Sequence, residues 1–254
     1  MNYLFKIRKD SIVELPKKRA IFFHSTVAKL LFVAKRARPH ILLTVSFLTT
    51  RVKCPDQDDW KKLIRLRGYL KNIVLLCLTL SCVNWKDLTW FIDVSYASHD
   101  DMKGHSRAVL LAGNCAVLSK SNKQKVNTRS STKTELIAID DALPTIQWTK
   151  KLLCEQGYDL ETMIKEDNRS TILLMKNGNF SSGKRTKHLN ICYFYVKDLI
   201  DQGVLKISHC ISDNVIADFL TKPLQGKWFK QLRDVILNLN QESAVEHRSV
   251  LINN

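Results

Sequence analysis

The order of the predicted elements is the feature that most restricts how this chain can fold. From Asn84 onward, an apolar run at residues 88–94 predicts a strand. Two further apolar runs, at 107–112 and 115–119, flank Gly113-Asn114, a pair that is typical of a hairpin turn. Three strands are therefore expected before any helix of this region.

Helices and strands then alternate along the rest of the chain. Apolar spacings of three and four predict a helix at 132–155. The elements predicted after it are a strand at 162–166, helices at 169–176 and 189–202, a strand at 204–210 and a short helix at 214–220. Strands followed by alternating helices and strands favour a mixed α/β fold, with a five-stranded sheet and helices on its faces.

A mostly helical segment precedes the predicted sheet. Helical spacing of apolar residues is found at 20–38, 39–50 and 56–69, and Asp58 or Asp59 lies at the start of the last of these helices. The sequence thus predicts four regions: a flexible basic lead at 1–19, a helical segment at 20–83, the α/β domain at 86–225, and a C-terminal helix with a polar tail at 226–254.

The charge of the chain is strongly positive and unevenly distributed. The 254 residues include 40 Lys and Arg against 24 Asp and Glu, for a formal net charge of +16. Residues 1–92 hold 18 basic and 6 acidic residues, so most of the excess lies before the predicted sheet. This distribution favours a partner rich in phosphate, such as nucleic acid. The alternatives are a solvated basic surface or a face that packs on an acidic neighbour.

Cysteine usage and hydropathy favour an intracellular protein without a membrane span. The seven cysteines form no Cys-x-x-Cys pair, and their odd number argues against a closed set of disulfides. The longest apolar run, at 73–83, is much shorter than the roughly 20 residues that a membrane-spanning helix needs. A cytoplasmic or nuclear location and no membrane partner are therefore expected.

Four acidic residues stand where a carboxylate would be held in place. Asp93 ends the first strand, Glu135 lies in the first turns of the long helix, Asp167 follows the fourth strand, and Asp218 lies in the last short helix. Converging carboxylates repel one another unless a divalent cation neutralises them. Two such ions about 4 Å apart can activate water and stabilise the leaving oxygen of a phosphodiester. The set predicts metal-dependent cleavage of a polyanion.

Each of these acids also has an ordinary structural interpretation. Thr132-x-x-Glu135 fits a capping box, in which the glutamate satisfies the start of its helix. Asp167 or Asn168 could cap the helix that begins near residue 169. Asp218 could be a solvated residue. Only Asp93, at the end of an apolar strand, has no comparable alternative.

Several strings follow one another in order along the chain. They are residues 27–39, 50–55 and 67–71, then Asp93-Val94-Ser95-Tyr96-Ala97, 130–136, Glu166-Asp167-Asn168, Lys184-Arg185-Thr186-Lys187-His188 and 217–224. Over about residues 22–238 this series resembles the C-terminal part of copia-type retrotransposon polyproteins, from the end of the reverse transcriptase through its ribonuclease H domain.

The resemblance implies a ribonuclease H fold and cleavage of the RNA strand of an RNA–DNA hybrid with two Mg²⁺ or Mn²⁺ ions. It makes the four acids the catalytic and metal-binding residues: Asp93, Glu135, Asp167 and Asp218. His209 is implied to help product release, although it also fits an ordinary histidine at a strand end. The residues expected to bind nucleic acid are Lys184, Arg185, Lys187, His188 and Asn168.

The sequence also departs from the family pattern. The Tyr-x-Asp-Asp string of the polymerase site is absent, so residues 20–83 resemble a thumb or connection segment, and a separate polymerase portion is an expected partner. Lys133 replaces an acid that the family usually has two residues before Glu135. A non-catalytic, nucleic-acid-binding relic is therefore the alternative function. A DNA-cutting integrase or resolvase could share the fold, but the string at 217–223 and the context of Glu135 argue against it.

Overall fold

The computed structural model of this chain describes residues 4, 7, 13–81, 87–112, 115–177, 190–210 and 226–239, with backbone only at 190–193. The predicted Gly113-Asn114 turn and the predicted helix at 214–220 lie outside these residues.

Five strands of the described chain form one mixed sheet. They are β1 (Asp87–Ser95), β2 (His105–Ala112), β3 (Cys115–Lys123), β4 (Glu161–Glu166) and β5 (Lys206–His209). Their order across the sheet is β3-β2-β1-β4-β5. The first three pair antiparallel, whereas β4 pairs parallel with β1 and β5 pairs parallel with β4. The predicted five-stranded mixed sheet is confirmed, with β1 at its centre.

Helices both precede the sheet and alternate with its later strands. The described helices are α1 (Lys17–Arg36), α2 (Leu42–Thr49), α3 (Gln57–Asn72), α4 (Ser131–Glu155), α5 (Arg169–Asn177), α6 (Asn190–Asp201) and α7 (Gly226–Leu237), with a 3₁₀ turn at Pro39–Ile41. These bounds confirm the predicted helices within a few residues. No helix in the described ranges is long and apolar enough to cross a bilayer.

A pair of aspartates caps the start of α3. Its N-cap is Asp56, whose Oδ1 accepts a hydrogen bond from the Asp59 backbone N–H at 2.8 Å, while Asp59 Oδ2 accepts from the Asp56 N–H at 3.2 Å. Arg51 also donates to both carboxylates. The predicted helix at 56–69, with Asp58 or Asp59 at its start, is confirmed within three residues, because α3 begins at Gln57 and both aspartates lie in its first turn behind this reciprocal capping box.

Both faces of the sheet are covered. Alternate positions of β1 point to opposite sides, so Trp90 belongs to one apolar cluster and Phe91 to the other, each fully buried. The face that carries Trp90 packs against α4, α5 and α6. The face that carries Phe91 packs against α1, α2, α3 and α7. Burial on both faces explains why β1 is a continuous apolar run rather than an alternating one.

The C-terminal helix α7 packs beside the N-terminal helices. Val235 and Ile236 lie in the same cluster as Phe91, and the rings of Phe229 and Tyr69 meet edge to face at 5.6 Å. Asn238 Nδ2 then donates to the Thr79 carbonyl at 3.2 Å. The helical segment, the sheet and α7 therefore share one apolar core.

Candidate metal centre

Asp93 and Asp167 reach the same edge of the sheet because their strands are parallel neighbours. The register of β1 and β4 aligns Phe91 with Lys165, and each aspartate lies two residues further along its strand direction. Asp93 is 6% exposed and lies two residues before Ser95, the last residue of β1. Asp167 is half-buried and follows the last residue of β4.

Glu135 approaches from α4, and it does not cap that helix. The N-cap is Ser130, whose Oγ accepts from the Lys133 backbone N–H at 3.4 Å. The alternative interpretation, a capping box between Thr132 and Glu135, does not hold, because the cap lies two residues earlier and places Glu135 beyond the positions that need a side-chain acceptor. Glu135 is nevertheless 6% exposed.

A buried glutamine fixes the first turn of α4 to the β2–β3 hairpin. Gln124 Nε2 donates to the Thr134 carbonyl at 2.9 Å and to Ser106 Oγ at 2.8 Å. Gly104 passes so close that an added Cβ would lie 2.6 Å from Gln124 Oε1 and 2.7 Å from Thr134 Cγ2. These contacts hold the residue before Glu135, and no sequence motif indicated them.

Asn168 has the capping role that the sequence left open between two residues. Its Oδ1 accepts from the Thr171 backbone N–H at 3.2 Å, at the start of α5. The cap therefore belongs to Asn168 rather than to Asp167.

The three acids from β1, α4 and the end of β4 converge. One carboxylate oxygen from each of Asp93, Glu135 and Asp167 lies within 4.8 Å of the others. Carboxylate oxygens are the ligands that hard divalent cations such as Mg²⁺ and Mn²⁺ prefer, so the donor set fits the cations implied by the resemblance. Like charges this close repel, and a cation between them would relieve that repulsion.

Glu166 is a fourth acid at this edge that the sequence analysis did not single out. Its side chain is fully buried, and its Oε1 accepts from the Asn168 backbone N–H at 3.1 Å. Burial, together with the charges of Asp167 and Asp93, raises the pKa of Glu166 well above its ordinary value. The available signal was its position as the last residue of a buried strand, directly before Asp167.

Of the remaining predicted site residues, only His209 lies within the described ranges. His209 is the last residue of β5, is half-buried and pairs in register with Glu166, one strand further from Asp93. Five predicted site residues lie outside the described residues: Lys184, Arg185, Lys187, His188 and Asp218.

Comparison with known proteins finds that this chain is similar to transposon polyproteins. The chain is 29% identical over 196 residues to the retrovirus-related Pol polyprotein from transposon RE2 of Arabidopsis thaliana, covering 76% of this chain and 13% of the relative. It is 26% identical over 235 residues to the corresponding polyprotein from transposon TNT 1-94 of Nicotiana tabacum, covering 91% and 17%. The predicted resemblance to copia-type retrotransposon polyproteins is confirmed, and the chain spans less than a fifth of those relatives.

Among solved structures, LC11-RNase H1 isolated from compost is similar to this chain, with a TM-score of 0.41 and 14% sequence identity. The similarity covers 53% of this chain and 92% of LC11-RNase H1. No protein-family model matches the chain. The strand order β3-β2-β1-β4-β5, antiparallel then parallel, with α4 crossing from β3 to β4, makes the fold ribonuclease H-like.

Proposed function

We propose that this chain is the ribonuclease H portion of a retrotransposon polyprotein and cleaves the RNA strand of RNA–DNA hybrids. The observation that carries the proposal is the convergence of Asp93, Glu135 and Asp167 from three separate elements to within 4.8 Å. Three acids from different elements are what a site for divalent cations needs in order to act on a phosphodiester.

In this proposal the protein contributes binding and orientation. Two Mg²⁺ or Mn²⁺ ions, when bound, would supply an activated water and stabilise the leaving oxygen. Asp93, Glu135 and Asp167 would hold the ions, and Asp218 would complete the set. The Gln124 contacts with Thr134 and Ser106 would keep Glu135 in position while the substrate binds.

The remaining predicted residues have supporting roles in the proposal. His209 would assist product release from its position beside Glu166. The basic string that contains Lys184, Arg185, Lys187 and His188 would contact phosphates, which fix the position of a nucleic acid without reading its sequence. Since no Tyr-x-Asp-Asp string is present, DNA synthesis would require a separate polymerase portion.

The decisive experiment is cleavage of an end-labelled RNA–DNA hybrid by the purified chain in Mg²⁺ or Mn²⁺. We expect the parent protein to cut the RNA strand and Asp167→Asn to lose cleavage while retaining most of its affinity for the hybrid. The control is Asp159→Asn, because Asp159 is an exposed residue before β4 and its change removes the same charge. Equal cleavage rates for the parent and Asp167→Asn would refute the assignment of the acids.

A second candidate is a protein that binds nucleic acid without cleaving it. Lys133 favours it, because a cation on the first turn of α4, two residues before Glu135, would oppose cation binding. Hybrid binding without cleavage by the parent protein would support this candidate. Cleavage restored by Lys133→Glu would identify Lys133 as the cause.

A further inference from the structure

Two arginines, one on α1 and one on α3, each lie over an aromatic ring of the other helix. Arg19 Cζ is 5.8 Å from the ring centroid of Trp60, and Arg67 Cζ is 5.8 Å from that of Phe22. The Phe22 and Trp60 rings themselves are 6.0 Å apart, which joins α1 to α3. We call Arg19, Phe22, Trp60 and Arg67 the arginine–aromatic surface.

The arginine–aromatic surface lies on two helices that expose many lysines and arginines. Helix α1 carries six lysines and arginines, all exposed, and no acidic residue. Helix α3 exposes four more cations: Lys61, Arg65, Arg67 and Lys71. None of these ten side chains forms an ion pair within the part of the chain that the structure describes. Asp56 and Asp59, at the start of α3, are instead engaged by Arg51 and Lys62.

The arrangement of the arginines determines which group they can bind. A guanidinium that lies over a ring has less rotational freedom to lose, while its N–H edges still point outward and match two oxygens of a phosphate. The same contacts place a guanidinium over each of the Trp60 and Phe22 rings, while Phe22 stays 47% exposed. The surface therefore suits backbone phosphates, which the arginines can bind without reading the bases.

The extent of the charge indicates a polymer rather than a small anion. A 20-residue helix is roughly 30 Å long, and the cations of α1 run from its first residues to its last. A duplex nucleic acid carries charges along such a length at close spacing. We propose that the arginine–aromatic surface is a phosphate-binding site for the nucleic-acid substrate, outside the acid cluster. This rests on the proposed function only for the identity of the substrate.

The test measures binding by the full chain without metal ions, so that cleavage plays no part. Fluorescence anisotropy with a labelled RNA–DNA hybrid in EDTA, over a series of salt concentrations, would compare the parent with R19A/R67A and R19K/R67K. The charge-matched control is K151Q/K227Q, which removes two exposed lysines from α4 and α7. Melting temperatures and circular dichroism would verify that every variant is folded.

We expect R19A/R67A to lose about 60-fold in affinity at ~0.1 M salt, since counterion release makes each phosphate contact worth about eightfold. The plot of log affinity against log salt concentration has a negative slope, and its magnitude should decrease by about 1.8 for two lost phosphate contacts. R19K/R67K should keep most of the slope but bind more weakly than the parent, because lysine cannot make the bidentate contact. A duplex DNA of equal length should show the same losses.

Two outcomes would overturn the proposal. In the first, R19A/R67A binds the hybrid with the same affinity and salt slope as the K151Q/K227Q control. That result would mean that this surface does not bind nucleic acid, and a protein would be the alternative partner. The second is a loss confined to the hybrid and absent with duplex DNA, because phosphate contacts are common to both. Failure of the cleavage assay would leave both readouts unchanged, so the two proposals fail separately.

Discussion

Removal of one acid from the cluster should stabilise the protein when metal ions are absent. In Asp167→Asn the amide keeps the shape of the side chain and removes its charge from beside Asp93 and Glu135, which lie within 4.8 Å. Two carboxylates about 5 Å apart repel by roughly 1–3 kcal/mol for effective dielectric constants between water and a protein surface. We therefore expect the free energy of unfolding to rise by about 2 kcal/mol.

Thermal unfolding with and without Mg²⁺ would measure both sides of this effect. For a chain of this size, about 2 kcal/mol corresponds to a rise in Tm of about 4–8 °C in EDTA. The parent should gain stability from the cation, by about 2.7 kcal/mol at a concentration 100 times the dissociation constant, and the variant should gain much less. The variant should thus be more stable than the parent in EDTA and lose that advantage as Mg²⁺ is added.

The matched control for this prediction is Asp159→Asn, which should change neither the Tm in EDTA nor the response to Mg²⁺. The reasoning is refuted if Asp167→Asn is less stable than the parent in EDTA, or if its Mg²⁺-dependent shift equals that of the parent. Either result would mean that the three carboxylates do not act on one another or on a shared cation.

The other two predictions concern the support of the site and the response to acid. Gly104→Ala should destabilise the protein by about 1–3 kcal/mol and slow cleavage, because the new methyl group must displace Gln124 or Thr134. Urea unfolding would measure the free energy of unfolding of this variant beside that of Gly68→Ala. The Cβ added at Gly68 lies on a helix and meets open space, so Gly68→Ala should stabilise the protein by up to about 1 kcal/mol. Equal changes in the two variants would contradict the prediction for Gly104→Ala. Burial lowers the pKa of His40 to about 3, so the unfolded chain binds a proton that the folded chain does not, and stability should fall as the pH drops from 6.5 toward 3. His40→Leu should reduce that slope by about 1.4 kcal/mol per pH unit, and an unchanged slope would assign it to other groups.

The sequence predicted the sheet well because its signals are local. An apolar run bounded by turn residues identifies a strand, and spacings of three and four identify a helix, whatever covers them. The bounds of β1, β4 and α4 agree with the predictions within one or two residues. The division of the chain into regions at residues 83–86 stays a prediction.

The site was predicted in part, for reasons that differ from residue to residue. The sequence singled out Asp93, Glu135 and Asp167 because each stands near an element end, and the structure brings one carboxylate oxygen of each within 4.8 Å of the others. The local alternatives could not be separated by spacing, since Ser130 and Thr132 are both acceptable caps, as are Asp167 and Asn168. Glu166 was missed because its full burial depends on neighbouring β1 and β5, which are distant in sequence.

The packing of the helical segment could not be inferred from sequence, and it changes how the site is supported. Phe91, Val109 and Leu111 form the face of the sheet that α1, α2, α3 and α7 cover. Phe91 is two residues from Asp93, so the same helices that bury Phe91 also fix the strand that carries the acid. Apolar burial of this kind offsets the repulsion within the acid cluster, since each fully buried large side chain contributes about 1.5–3 kcal/mol. The N-terminal helices therefore help to fix the strand that carries Asp93, whether or not their outer surface binds nucleic acid.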